Sequence, residues 1–162
     1  ANAGGVEAIS TGEHCPNGLP CVKDYAEGLA FAKKHKKPIF LDFTGYTCVN
    51  CRKMEDNIWV DPKIDKILRN DYVVISLYVD DKKKLPKNEQ RTEMLFGKEM
   101  KIRTFGNKWS YLQTSRFKTN SQPYYVLLDP DENVLVNPVG YTPDVDEYEA
   151  YLQSGVEAFN KK

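Results

Sequence analysis

The chain has 162 residues, of which 41% are hydrophobic and 12% aromatic, which suits one domain with a sizeable core. Lys and Arg (23) balance Asp and Glu (23), so the charge indicates neither nucleic acid nor an anionic membrane surface as a partner. The longest apolar run, residues 72–79, is too short to span a bilayer. The first residues lack the charged and apolar regions of a signal peptide. We expect residues 1–13 to be a flexible linker, as a mature N-terminus or the cut end of a longer protein, before one domain over 14–162.

The first half of the chain predicts three helices and two strands. A basic run before Pro38 suits a helix C-terminus, and Asp61 supplies an N-cap before Pro62 at a first helical position. Short apolar, β-prone runs predict the strands. The predicted elements are a helix over 22–36, a strand over 39–44, a helix over 52–59, a helix from 62 to about 69 and a strand over 72–79.

The second half is less regular. Residues 80–84 are interpreted as a solvated charge run, and 86–103 are too mixed to assign. Beyond them the pattern predicts a helix over 105–117, a strand over 123–128, a turn over 129–133, a hairpin strand over 134–136 and an amphipathic helix over 144–159.

Cys48-Val49-Asn50-Cys51 lies between the first predicted strand and a helix. A β-α-β half followed by a β-β-α half, with Cys-x-x-Cys after the first main strand, predicts the thioredoxin fold. This is an α/β fold with a central mixed sheet flanked by helices, here with an extended segment between the halves.

The Cys-x-x-Cys pair predicts thiol chemistry. Unsatisfied N–H groups and the macrodipole at a helix N-terminus stabilise a thiolate by roughly 0.3–2 kcal/mol, which lowers its pKa by about one unit. Cys48 is therefore the candidate nucleophile that attacks a partner disulfide, and Cys51, one turn later, is the candidate resolving thiol. We expect the pKa of Cys48 to lie below that of a free thiol and the pKa of Cys51 to lie above that of Cys48.

Three further residues are candidates for the site. Asp42 is a lone carboxylate in an apolar strand, where alternation points it beneath the motif as a base for Cys51; otherwise it is satisfied by a hydrogen bond or exposed on an irregular strand. Glu55, on the same helical face as Cys51, tunes the pKa of that thiol or is an ordinary surface acid. Pro123 follows a polar loop and is either cis and close to the dithiol, with Gln122 offering its backbone to an extended chain, or a trans proline at an edge strand.

Cys15 and Cys21 bound a Pro-Asn-Gly-Leu-Pro turn and allow three interpretations. They form a structural disulfide, which fits an oxidising compartment, or two unpaired thiols, or a second redox pair in relay with the first. The relay is disfavoured because nothing around Cys15 resembles a helix N-terminus.

Two rival classes remain for the whole chain. A zinc centre of four cysteines, or of three with His14, competes for the thiols, but zinc knuckles sit on turns rather than between a strand and a helix. The other rival is a non-catalytic binding module, but both motif cysteines are intact, which argues against it. We expect no metal and no cofactor.

Residues 37–55, KPIFLDFTGYTCVNCRKME, resemble the C-terminal thioredoxin-like domain of the DsbD family, the bacterial transmembrane thiol:disulfide interchange proteins. The resemblance covers about residues 22–160. Cys-Val-x-Cys followed by a basic residue differs from the Cys-Gly-Pro-Cys of ordinary thioredoxins. Thioredoxins also have Trp before the first cysteine, whereas Thr47 stands here, preceded by Tyr46.

The resemblance implies a periplasmic domain that receives electrons from a membrane-embedded domain and passes them, as a dithiol, to protein disulfides. Disulfide isomerases and the cytochrome c maturation route are the implied downstream clients. The alternative is a stand-alone periplasmic reductant for cytochrome c maturation. We expect a monomer whose partners are protein thiols and disulfides. By this resemblance the nucleophile and resolving thiol are Cys48 and Cys51, the acidic residues Asp42 and Glu55 and the cis-proline Pro123, and we expect partner contacts at Tyr46, Thr47, Val49, Asn50 and Gln122.

Overall fold

The structure, a computed structural model, describes residues 15–162. The predicted linker over 1–13 and the domain's first residue, His14, lie outside the described residues. None of the helices within the described part of the chain is long and apolar enough to cross a bilayer. The elements in chain order are α1 (Tyr25–His35), β1 (Ile39–Thr44), α2 (Val49–Asn57), α3 (Pro62–Asp71), β2 (Val73–Tyr78), β3 (Arg91–Leu95), β4 (Lys98–Ile102), α4 (Phe105–Phe117), β5 (Tyr124–Leu128) and α5 (Val145–Asn160).

The central sheet has the strand order β2-β1-β5. Strands β1 and β2 are parallel, and β5 runs antiparallel to β1, so the sheet is mixed as predicted. The register places Asp42 of β1 opposite Ser76 of β2 and Tyr125 of β5. Because β1 and β2 are parallel, their carboxyl ends and the start of β5 meet at one edge of the sheet, where the loop to α2 begins.

Alternate residues of β1 supply two separate hydrophobic clusters, one on each face of the sheet. Phe40 packs with Met54 of α2 and Tyr148 of α5, whereas Leu41 packs with Trp109 of α4 on the other face. The ring of Phe40 stacks on Tyr125 at 5.4 Å between centroids. Complete burial of such a side chain contributes about 1.5–3 kcal/mol. Because hydrophobic clusters cover both faces of the sheet, the Asp42 side chain is shielded from solvent on either face.

Two helices begin three residues away from their predicted starts. α1 begins at Tyr25 because Asp24 caps it, accepting a hydrogen bond from the Glu27 N–H. Val22, predicted as helical, instead forms a parallel bridge to Ile75 at the edge of β2. α2 begins at Val49, directly after Cys48, and ends at Asn57.

The hairpin strand predicted over 134–136 is confirmed only in part: Val134 pairs antiparallel with Leu128 across the turn, but the segment is not a regular strand. The segment forms isolated bridges, Val134 to Leu128 and Val139 to Tyr125, rather than a regular ladder. Between the two bridges, four residues of this segment, 135–138, stand opposite only residues 126 and 127 of β5, which makes a bulge in the pairing. Pro138 lies in this bulge and has no N–H to donate, which breaks the pairing.

The unassigned residues 86–103 contain a second, two-stranded sheet formed by β3 and β4. Its side chains are mostly exposed on both faces, including Met94 and Phe96 near the turn. Ile102 at the end of β4 is the one completely buried side chain of these two strands, so too little alternation of apolar and polar residues marks them for the sequence pattern to predict them. The helix predicted over 105–117 is confirmed as α4.

Candidate functional site

Cys48 and Cys51 form a disulfide at the start of α2. Cys48 is the N-cap residue, and its sulfur accepts a hydrogen bond from the Cys51 N–H at 3.2 Å, which confirms its predicted place at a helix N-terminus. Cys48 is partly exposed, whereas Cys51 is 2% exposed. Of the two sulfurs, therefore, only that of Cys48 is accessible to the sulfur of another protein.

The loop before Cys48 is held by Asp80, a residue that the sequence analysis did not identify. Its carboxylate accepts hydrogen bonds from the Tyr46 N–H at 2.9 Å and from the Thr47 N–H at 3.2 Å. The Tyr46 ring is half exposed and stacks on Tyr78, 4.1 Å between centroids. Asp80 follows β2 at the sheet edge where the loop after β1 begins. No local sequence pattern indicates this contact, which follows only from the parallel pairing of the two strands.

Asp42 lies inside the protein, 2% exposed, and accepts a hydrogen bond from the Ser76 hydroxyl at 3.0 Å. Burial raises the pKa of Asp42 to about 8, and the nearby Glu55 carboxylate adds to this rise. The Ser76 hydrogen bond and the Arg52 guanidinium act in the opposite direction. The alternative of an exposed Asp on an irregular strand is wrong, because β1 is regular and fully buried.

Glu55 is also buried, 4% exposed, so the alternative of an ordinary surface acid is wrong. Arg52 donates to the Glu55 carboxylate at 2.8 Å and to the Thr44 hydroxyl at 3.2 Å. Burial raises the pKa of Glu55, and the Arg52 charge and hydrogen bond oppose that rise. Arg52, which the sequence analysis did not single out, thus ties the first turn of α2 to the end of β1.

Pro123 is buried, and the peptide bond between Gln122 and Pro123 is cis. The loop before it is anchored by Gln113, a completely buried amide of α4 that donates to the Ser121 carbonyl at 2.9 Å. The Gln122 side chain in turn donates to the Gln113 side-chain oxygen at 2.8 Å. Because β5 pairs antiparallel with β1, Pro123 lies at the sheet edge from which the Cys48 loop leaves.

Cys15 and Cys21 form the second disulfide, with 4% and 0% of their surfaces exposed. The interpretation as two unpaired thiols is therefore wrong for this structure. Cys15 precedes a single 3₁₀ turn, Pro16–Gly18, which lies within the turn predicted between the two cysteines. Its sulfur lies 3.2 Å from the Ser76 hydroxyl oxygen.

The zinc alternative requires free thiolates, and all four sulfurs are in disulfides here. Within residues 15–162 no group of three or more His, Cys, Asp and Glu side chains is placed to hold a metal ion.

Comparison with known families gives a match over residues 25–155 to the thioredoxin-like domain. The chain belongs to this family. The predicted thioredoxin-like α/β fold, with a mixed sheet between helices, is confirmed. A comparison with curated proteins gave no match.

Three solved structures illustrate the similarity of the fold. One is titled a DsbH oxidoreductase, with 21% identity and a TM-score of 0.60 over 83% of this chain and 82% of that chain. A thioredoxin from Thermus thermophilus has 21% identity and a TM-score of 0.55 over 80% and 81%. The oxidised C-terminal domain of Neisseria meningitidis DsbD has 14% identity and a TM-score of 0.53 over 80% and 90%. These likenesses establish the fold.

Proposed function

We propose that this domain is a thiol:disulfide oxidoreductase that reduces protein disulfides through Cys48 and Cys51. The observation that carries the proposal is the pairing of a partly exposed sulfur at the N-terminus of α2 with a buried one in the next turn. This asymmetry assigns the two roles, because a partner sulfur reaches Cys48 and does not reach Cys51.

The reaction begins with the dithiol form. The Cys48 thiolate attacks one sulfur of a partner disulfide, that S–S bond breaks, and the partner's other sulfur leaves as a thiolate that takes a proton from solvent. Cys51 then loses its proton and attacks the Cys48 sulfur of the mixed disulfide. The second partner thiol is released, and two electrons have moved from the domain to the partner. The product is the Cys48–Cys51 disulfide seen in the structure.

Asp42 is the proposed base for Cys51. Its pKa of about 8 is close to neutral pH, where a group both takes and gives a proton readily. The ionised carboxylate accepts the Cys51 proton in the forward direction, and the neutral carboxyl returns it when the disulfide is reduced again. Glu55, buried and paired with Arg52, raises the proton affinity of Asp42 by its charge.

Partner proteins are proposed to bind over the exposed rim around Cys48. Val49 is 67% exposed and Tyr46 52% exposed, so the rim offers apolar surface on both sides of the sulfur. Thr47 and Asn50 are exposed polar neighbours in the same loop and helix turn. The backbone of Gln122, before cis-Pro123, is proposed to pair with an extended segment of the partner.

We further propose that the domain works in the periplasm as the terminal relay of a DsbD-like membrane protein. The motif over residues 37–55 supports this placement, and the fold likeness to a DsbD C-terminal domain agrees with it. Electrons arrive from a membrane-embedded domain and leave to periplasmic partner disulfides.

A trapping experiment tests the function. Cys51→Ser should accumulate a mixed disulfide between Cys48 and a disulfide-containing protein, because the resolving step is lost. Cys48→Ser should form none and lose all reductase turnover, whereas Asn57→Ser, an exposed change in the same helix, should behave as the wild type. Turnover by Cys48→Ser would contradict the proposal.

Two further measurements test the direction and the place in the relay. A reduction potential against glutathione nearer to about −270 mV than to about −120 mV supports the reductase direction, and the reverse contradicts it. In cells, Cys51→Ser should trap a cysteine of a membrane-embedded domain. Trapping only a cytochrome c maturation component would favour the stand-alone alternative.

A further inference from the structure

A chain of buried polar groups joins the second disulfide to the proposed base. The Cys15 sulfur lies 3.2 Å from the Ser76 hydroxyl oxygen, which lies 3.0 Å from the Asp42 carboxylate. Cys15, Ser76 and Asp42 are 4%, 1% and 2% exposed. The chain of contacts is therefore shielded from bulk water.

The sheet builds this arrangement from backbone pairing alone. Asp42 and Ser76 are register partners on neighbouring parallel strands, so their side chains lie on the same face. Val22, next to Cys21, donates to the Val74 carbonyl at 2.9 Å and accepts from the Ser76 N–H at 2.9 Å. The residue after the disulfide is thus fastened to Val74 and Ser76, on both sides of Ile75 in β2, and this holds the disulfide against the Ser76 hydroxyl.

The hydrogens in this chain can be assigned from chemistry. A disulfide sulfur carries no proton and is only a weak acceptor, whereas the Ser76 hydroxyl has one proton to donate. When Asp42 is ionised, Ser76 donates to its carboxylate. When Asp42 is protonated, its O–H donates to Ser76 and the Ser76 proton turns to the Cys15 sulfur. Both protonation states of Asp42 therefore keep their hydrogen bonds.

We propose that Ser76 is a positioning residue for Asp42, and that the Cys15–Cys21 disulfide, acting through Ser76, helps to set how readily Asp42 takes and gives a proton. The inference rests on the proposed function, in which Asp42 serves Cys51. It assigns the second disulfide a part in the chemistry of the first, beyond its contribution to stability.

Other groups act on Asp42 as well, and the variants leave them in place. They are the titratable and charged side chains around it from α2, β2, β5 and α5: Glu55, Arg52, Tyr78, Tyr125 and Tyr148.

The test measures the Asp42 titration midpoint in the oxidised protein, from the carboxyl signal that disappears in Asp42→Asn. Neither disulfide titrates in this form. Ser76→Ala removes the donor to the ionised carboxylate, so the midpoint should rise by about one pH unit. Ser76→Thr keeps the hydroxyl and should return the midpoint to the wild-type value. An unchanged midpoint in Ser76→Ala overturns the proposal.

The disulfide is tested with the double variant Cys15→Ala/Cys21→Ala. Without the sulfur acceptor the protonated form of Asp42 is less favoured, so the midpoint should fall, by a few tenths of a pH unit because sulfur accepts weakly. The same pair of changes in a Ser76→Ala background should have no effect, since the connection is already cut. Leu19→Ala, a buried change in the same loop that keeps both sulfurs, should leave the midpoint unchanged.

The outcomes separate this inference from the proposed function. A disulfide-free protein that is less stable but has the wild-type midpoint overturns the role of the disulfide. If that protein does not fold, Ser76→Ala and Ser76→Thr, which keep both disulfides, decide the proposal. Expected midpoints in a protein without reductase turnover would uphold the coupling and refute the function. The pH dependence of Cys51 attack on a trapped mixed disulfide should shift with the Asp42 midpoint in each variant.

Discussion

The two disulfides close loops of similar size in very different surroundings. Their cysteines are three and six residues apart, and the entropy of closing such loops contributes about 2 kcal/mol in either case. The Cys48–Cys51 bridge has one sulfur open to solvent at the start of a helix, whereas the Cys15–Cys21 bridge lies in the core cluster with Phe40 and Met54. Access and the helix N-terminus, rather than loop length, separate a reactive disulfide from a stable one.

The largest expected difference is in the rate of reduction. A small dithiol should reduce Cys48–Cys51 in the native protein but should reach Cys15–Cys21 only after unfolding, because both of those sulfurs are buried. Since unfolded molecules are at most about one in a thousand, the second reduction should be about a thousandfold slower or more. Quenched thiol counting should give two thiols per chain in native buffer and four in denaturant. If all four thiols appeared at the same rate in native buffer, the two disulfides would not differ in their access to the reductant.

The buried carboxyl of Asp42 should make stability fall as pH rises. Between the ordinary pKa of 3.8 and the folded value of about 8, native Asp42 keeps a proton that the unfolded chain has released. Its contribution to stability is therefore complete below pH 3.8 and is lost through this window, by about 1.4 kcal/mol per pH unit. Asp42→Asn should lose this dependence, so its unfolding free energy relative to the wild type should increase from pH 5 to pH 8.

Denaturant unfolding of the oxidised proteins measures this difference, since disulfide-bonded cysteines do not titrate. Asp56→Asn is the matched control, because it removes a carboxylate that is exposed on α2 rather than buried. A constant difference between Asp42→Asn and the wild type across this range would show that Asp42 is ionised in the folded protein and would weaken its assignment as a base.

Removing each disulfide separately should show how much each one contributes to the free energy of unfolding. Cys48→Ala/Cys51→Ala should lower the unfolding free energy by about 2 kcal/mol through loop closure, with a small further loss because one of its sulfurs, that of Cys51, is buried. Cys15→Ala/Cys21→Ala should cost more, because two completely buried sulfurs leave a cavity beside Leu19 and Phe40. Equilibrium unfolding of the two double variants under oxidising conditions gives both values. A larger loss from the first pair would contradict the structural role of the second.

Much of the site follows from local sequence, and the remainder depends on which strands become neighbours. Cys48 at a helix N-terminus and Asp42 within a buried strand could be predicted because the pattern around each is local. The partners Ser76 and Asp80 could not, since each acts on a residue more than 30 positions away and is placed there by the parallel register of β1 and β2. The β3–β4 hairpin was missed for a different reason: it is local but buries little besides Ile102, so its sequence carries no clear alternation of apolar and polar residues.

The smallest effect expected here concerns the loop that carries the reactive cysteine. Asp80→Ala removes the acceptor of the Tyr46 and Thr47 N–H groups, so Cys48 should be held less firmly. Each hydrogen bond to a charged acceptor is worth about 1.5–3 kcal/mol, but water replaces much of it at this exposed edge, so we expect a loss of about 1 kcal/mol.

Asp81→Ala, which frees only the Lys83 N–H, is the control for losing a carboxylate in the same turn. Stopped-flow rates of mixed-disulfide formation in a Cys51→Ser background should fall severalfold for Asp80→Ala and stay unchanged for Asp81→Ala. Equal rates in all three proteins would show that α2 alone orients the exposed sulfur, and that the loop bonds contribute only stability.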